Sequence, residues 1–327
     1  MAAREDDTRP ISRRSLLMGG AGVVTAAAAG LALPSEAARR PAKGGIPTPD
    51  KALLAPDKIG IQLYTVRDQI SSLGFAKTFE KLALMGFSEV EFAGYTQGTG
   101  AITVKQIRKL LDANGLKGIG CHSDATPTTI GKALDDAQAL GLPYIGIADA
   151  PGASPLAPKS TWQQSADDMN TMGAAAKKRG MSFYWHNHST EFSLCADDPT
   201  TRAYDVLMQE TDPNLVYREL DIYWAYVGQY QYGTSPFPVF DPLAYVKKEP
   251  ARYPLFHVKD GKRNAASYNG YDIVDVGQGD IDFEAFFRKL GRKTKHHYIN
   301  EQDDAGSHPG GSLRSARCSY GYMRMLR

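Results

Sequence analysis

Cysteine is scarce: three in 327 residues, Cys121, Cys195 and Cys318, at wide and unrelated spacings. That excludes a disulfide framework and a cysteine-based zinc motif, and makes free thiols the expectation, with room for at most one bridge such as Cys195–Cys318. An excess of one charge is missing too. Thirty-eight Lys and Arg against 36 Asp and Glu leave a net charge of +2, without the basic clustering that nucleic acid or an acidic membrane requires. No glycine turn follows the first predicted strand, where the chain reads LYTVRDQ, so nothing supports a dinucleotide fold. The later VGQGDIDF lacks the third glycine of such a motif, and Gly277 and Gly279 read as turn residues. What is present is ordinary globular material, 42% hydrophobic and 23% charged, so a partner should be small and weakly charged.

The only long apolar run lies at the N-terminus. ISRRSLLMGGAGVVTAAAAGLAL sets Arg13 and Arg14 ahead of a Gly/Ala-rich stretch, and PSEAA offers small residues at Ser35 and Ala37 for cleavage. The pattern resembles a twin-arginine export signal over residues 1–37. It implies a periplasmic or secreted protein with no stable membrane association after processing. A Pro/Gly/Lys-rich linker over 38–57 would then lead into the fold.

From Lys58 onward, short β-rich apolar runs alternate with segments of helical periodicity. The runs are KIGIQLYT, SEVEFA, KGIGCH, YIGIAD, MSFYWHN, LVYRELDI, PLFHVKD and HHYINE. Several intervening helical patterns finish at a glycine, as at Gly86, Gly115, Gly141, Gly180 and Gly291, which suits a left-handed helix end. Eight strands each followed by a helix predict an α/β fold, a single (β/α)8 TIM barrel over 58–327. Two segments break the economy, YWAYVGQYQYGTSPFPVFD after the sixth strand and GKRNAASYNGYDIVDVGQGDID after the seventh. Both read as long functional loops without helical pattern, their aromatic faces suited to sugar rings.

Catalytic groups of such barrels gather at the C-terminal strand ends. Here those ends carry Glu91 and Tyr95, His122 and Asp124, Asp149, then His186, Asn187, His188 and Glu191, then Glu219 and Asp221, His257, Lys259 and Asp260, and Glu301, Gln302 and Asp303. Carboxylates mixed with imidazoles, without a cysteine cluster, suit a divalent metal ion such as Mn²⁺, Mg²⁺, Co²⁺ or Zn²⁺ more than a structural zinc. Lys259 and Glu219 share a barrel face with His257 and Asp221 by strand alternation.

KIGIQLYTVRD, GFSEVEFAGY, WHNHSTEF, ELDIYW, FHVKD and NEQD together resemble the xylose-isomerase-like family, often labelled sugar phosphate isomerase/epimerase. The resemblance implies a single metal held from strands five to eight, with Asp221, His257 and Glu301 as three of the ligands. For the fifth strand it leaves two candidates. Glu191 would preserve the charge of the site, and His188 is the alternative. The expected catalytic residues are Glu191, Glu301 and Lys259; the expected substrate-binding residues are Glu91, His122, His186, His188, Glu219 and Trp224.

These residues suit proton abstraction next to a carbonyl on a carbohydrate or keto-glycoside, with the metal stabilising the enediolate. Isomerisation, epimerisation and elimination share that step. The alternatives are an endonuclease IV-like metal phosphodiesterase and a non-catalytic sugar-binding barrel. Near-neutral charge speaks against nucleic acid as a partner, and homo-oligomerisation is left open.

Overall fold

The computed structural model describes residues 52–94, 102–235, 237–291 and 295–327. The proposed signal, the linker up to residue 51, and Tyr95 lie outside them. Among the described residues no helix is long and apolar enough to cross a membrane, and all three cysteines are free thiols.

Eight strands form the barrel: β1 (Ile59–Gln62), β2 (Glu89–Ala93), β3 (Lys117–His122), β4 (Tyr144–Ile147), β5 (Ser182–His186), β6 (Val216–Asp221), β7 (Leu255–Val258) and β8 (His297–Asn300). They pair in parallel and close in the order β1-β8-β7-β6-β5-β4-β3-β2. Each of the eight predicted strands is present, so the barrel expectation holds. The helices are α1 (Arg67–Met85), α2 (Val104–Asn114), α3 (Ile130–Leu140), α4 (Lys159–Lys178), α5 (Ala203–Glu210), α6 (Ile222–Tyr232), α7 (Pro242–Lys248), α8 (Phe283–Leu290) and α9 (Gly311–Met325). Thr103 and Gln106 form a capping box on α2, and Gly115 closes that helix at φ 66°, so its ends were legible in sequence.

The apolar core divides in two. The larger part lies between barrel and helices. A separate cluster of Ile119, Tyr184, Leu255 and Ile299, contributed by β3, β5, β7 and β8, fills the barrel interior as a layer beneath the site. Tyr184 fits because β4 supplies Gly146: a Cβ there would stand 2.6 Å from the Tyr184 carbonyl and 2.7 Å from its ring. This close approach lets a large ring cross the barrel.

Both long segments after β6 and β7 are more regular than expected. The first begins with α6, a helix without an amphipathic stripe because Ile222, Tyr223, Ala225, Val227 and Gly228 are buried around it. The second opens with an antiparallel hairpin, Asp260–Arg263 against Tyr271–Val274. The buried Asp260 carboxylate organises the turn beyond it, accepting from the amides of Gly261, Gly277 and Gly279 at 2.8–3.0 Å. Gly277 and Gly279 are therefore turn residues, as read. Arg263 lies 3.9 Å over the Tyr230 ring and 5.2 Å from that of Tyr271, so those aromatic faces serve the contact between hairpin and α6 rather than a sugar.

Candidate metal centre and active site

Parallel register sets the geometry. Asp221 on β6 pairs with His257 on β7, and His257 pairs with Ile299 on β8, two residues before Glu301. Inward-facing side chains at these positions converge, and His186 from the end of β5 joins them. One ligand atom from each of His186, Asp221, His257 and Glu301 lies within 4.8 Å of the others, and all four residues are buried.

Hydrogen bonds fix how each group faces the cluster. The His186 Nδ1–H donates to the Ala148 carbonyl at 2.8 Å, which leaves the Nε2 lone pair facing Asp221 Oδ2 at 3.4 Å. Burial holds the His186 pKa below its ordinary value, so the ring is a neutral donor. His257 Nε2 donates to Glu91 at 2.7 Å and stands 3.2 Å from Glu219. Its Nδ1 lies 3.0 Å from Glu301 Oε2 and 3.8 Å from Asp221 Oδ2. Burial disfavours charge on His257, but the carboxylates of Glu219, Glu301 and Glu91 overcome it and raise the pKa well above the usual value.

For Asp221 and Glu301, burial opposes ionisation. The Lys259 ammonium and the neighbouring imidazoles outweigh it, and both carboxyls titrate well below the ordinary range. Lys259 Nζ reaches Glu301 at 3.2 Å, Asp303 at 2.7 Å and Asp221 at 3.8 Å, with the Trp224 ring 5.0 Å away. Two carboxylates and two imidazoles, one imidazole with its lone pair fixed by a backbone carbonyl, make a donor set that fits a divalent cation.

A pocket of ≈ 440 Å³ opens beside this cluster. Gln62, Tyr64, His122, Asp149, His186, His188, Glu301 and Asp303 are among its lining residues. Among the described residues no lysine or arginine lines it.

Of the expected site residues, the structure brings Asp221, His257, Glu301 and Lys259 together and places His122 and His188 at the pocket. Four residues, Glu191, Glu91, Glu219 and His186, stand elsewhere than expected. Glu191 was expected at the metal; its carboxylate instead accepts from the backbone amides of His188 at 3.0 Å and Ala150 at 3.4 Å, and His186 stands in the fifth-strand place. The physical reason is that β5 stops at His186 and a 3-10 turn over Thr190–Phe192 carries Glu191 away.

Glu91, expected to bind substrate, is fully buried and already engaged by Gln62 at 2.9 Å, His257 at 2.7 Å and the Tyr184 hydroxyl. Glu219, expected likewise, lies one layer below Asp221 and pairs with His122 at 2.7 Å. Burial works against its charge, and His257 and His122 together hold its pKa low. Glu91, His122, Glu219 and His257 thus form a second converging set, whose members bond one another beneath the first. Trp224 flanks the site, its ring 5.1 Å from that of His188.

Sequence reasoning missed Gln62 and Tyr184, and gave Asp149 and Asp303 no role. The lone polar residue closing the apolar IGIQ was a usable signal for Gln62. Tyr184 offered none, since aromatic residues are ordinary in strands.

A closed parallel barrel whose strand ends gather carboxylates and imidazoles defines a (β/α)8 protein with a candidate divalent-metal centre. The chain belongs to the xylose isomerase-like TIM barrel family, whose model matches residues 79–319. It is 25% identical over 297 residues to an inosose dehydratase of Clostridium perfringens, covering 77% of this chain and 92% of that protein. Among solved structures it resembles a sugar phosphate isomerase/epimerase from Parabacteroides distasonis, with TM-score 0.67, 22% identity, and coverage of 82% of this chain and 96% of that one. It also resembles an L-ribulose 3-epimerase, with TM-score 0.58, 13% identity and coverage of 81% and 92%. At such identities the two structures speak for the fold alone.

Proposed function

We propose that this protein is a divalent-metal-dependent enzyme that removes a proton next to a carbonyl on a cyclic or open-chain keto sugar, with loss of a β-hydroxyl as the favoured outcome. The observation that carries the reading is the convergence of His186, Asp221, His257 and Glu301 beside a polar pocket. The likeness to inosose dehydratases over most of the chain favours elimination over isomerisation or epimerisation.

His186, Asp221, His257 and Glu301 would hold the metal, Mn²⁺ by preference. When bound, such an ion polarises a carbonyl oxygen as a Lewis acid and so acidifies the neighbouring C–H. Glu301 belongs to the cluster and also lines the pocket, so it is the carboxylate to take the proton. Lys259 keeps Glu301 ionised, as a base must be. His122 and His188 offer imidazole nitrogens to substrate hydroxyls. Among the described residues the lining has no arginine or lysine, which suits an uncharged sugar better than a phosphate ester or phosphodiester.

Titration with Mn²⁺ by calorimetry tests the metal centre. Wild type should bind one ion, and Asp221→Asn or His257→Ala should bind far more weakly while remaining folded by circular dichroism. Unchanged affinity in both variants would remove these residues from the site.

A further inference from the structure

The HNHSTE turn holds more polar groups than the metal cluster uses. Asn187 is spent on β6: its Nδ2 donates to the Asp221 carbonyl at 3.2 Å and its Oδ1 accepts from the Asp221 amide at 3.1 Å. Glu191, fully buried, accepts from the amides of His188 and Ala150. Those amides belong to His188 itself and to the residue after Asp149. One carboxylate therefore joins the loops that follow β4 and β5, and at that junction His188 Nδ1 lies 2.7 Å from Asp149 Oδ1. Both members of the pair line the pocket. Ring contacts fix the imidazole further, with the His186 centroid at 5.0 Å and that of Trp224 at 5.1 Å.

We propose that Glu191 and Asp149 are positioning residues that hold His188 against a hydroxyl of the substrate, Glu191 by clamping two loop backbones and Asp149 by binding Nδ1–H. With Nδ1 paired to Asp149 at 2.7 Å, Nε2 is the nitrogen left to meet an alcohol hydroxyl. A buried carboxylate must have its hydrogen bonds met, and the cheapest way to meet these two is to keep the loops together. The ligand class, a polyol hydroxyl, rests on the keto-sugar reading above; the clamp does not.

The test uses Mn²⁺-loaded full-length protein with myo-inositol as an unreactive polyol probe, its affinity read by calorimetry. Glu191→Gln replaces one acceptor oxygen by an NH₂ group that faces an N–H donor, and so opens the clamp. It should keep wild-type manganese content by elemental analysis and lose roughly tenfold in myo-inositol affinity, the scale of one hydrogen bond. His188→Ala should lose as much, and the double variant no more than either single one. Asp149→Asn, which keeps the acceptor oxygen, should bind better than Asp149→Ala. The His188 imidazole ¹⁵N shifts should show the Asp149-bound tautomer in wild type and lose it in Glu191→Gln. Loss of manganese from Glu191→Gln would make Glu191 a ligand and overturn the proposal, as would additive losses in the double variant or unchanged ¹⁵N shifts. If wild type binds no myo-inositol, the polyol assignment fails and the ¹⁵N comparison alone decides the clamp.

Discussion

Asp221 divides its two oxygens between tasks. Oδ1 accepts from the Trp224 amide at 2.8 Å and so caps α6, while Oδ2 faces His186, His257 and Lys259. The cap orients the carboxylate without occupying the oxygen that meets the cluster. Glu91 does the corresponding service for His257, whose Nε2–H it accepts, so that Nδ1 is the nitrogen presented to Glu301 and Asp221. Glu91→Gln should therefore lower Mn²⁺ affinity roughly 10–100-fold, the range found when the outer partner of a ligating histidine is lost. Calorimetric titration reads this, and an unchanged affinity would mean that His257 keeps its orientation without Glu91. Strand-end placement brought Asp221, His257 and Glu301 into view in the sequence, and the family resemblance singled them out as ligands. Placement could not give depth. Glu91 and Glu219 carry the same pattern as true pocket residues, and only the closed barrel reveals that they sit a layer below it. Glu191 stands away from the cluster for a local reason, since nothing in HNHSTEF marks where extended chain becomes a turn.

At the scale of elements, the strands and most helices were readable, and the two long connections after β6 and β7 were not. Strand signals are local, whereas α6 lacks a polar face because several neighbours cover it, a fact held by tertiary packing. The hairpin after β7 was hidden for a similar reason: its turn is organised by the buried Asp260, a residue indistinguishable in sequence from the surface aspartates around it. The barrel interior gives the sharpest element-level prediction. Gly146→Ala sets a methyl group against both the ring and the backbone of Tyr184, so β4 and β5 must part or the ring must move. Overpacking of this kind costs about 1–3 kcal/mol. Thermal unfolding should show a clear fall in Tm, and a Tm equal to wild type would mean that the interior is looser than this packing implies.

For the whole molecule, the barrel separates stability from chemistry: an apolar layer of Ile119, Tyr184, Leu255 and Ile299 lies below, and a charged layer lies above, at the strand ends. Ahead of it stands the N-terminal segment, where we propose export by the twin-arginine route. Arg13→Lys with Arg14→Lys should leave precursor in the cytoplasm by fractionation and immunoblot, and normal export of that double variant would exclude the route. The proposed proton abstraction by Glu301 is tested most directly by following the hydrogen. A keto cyclitol deuterated at the carbon beside its carbonyl, incubated with Mn²⁺-loaded enzyme in ordinary water, should lose that deuterium to solvent by NMR, whether the net result is elimination, epimerisation or isomerisation. Glu301→Gln should retain the label, because an amide cannot accept the proton. Turnover that keeps the deuterium in the product would indicate a shift between neighbouring carbons and contradict the account.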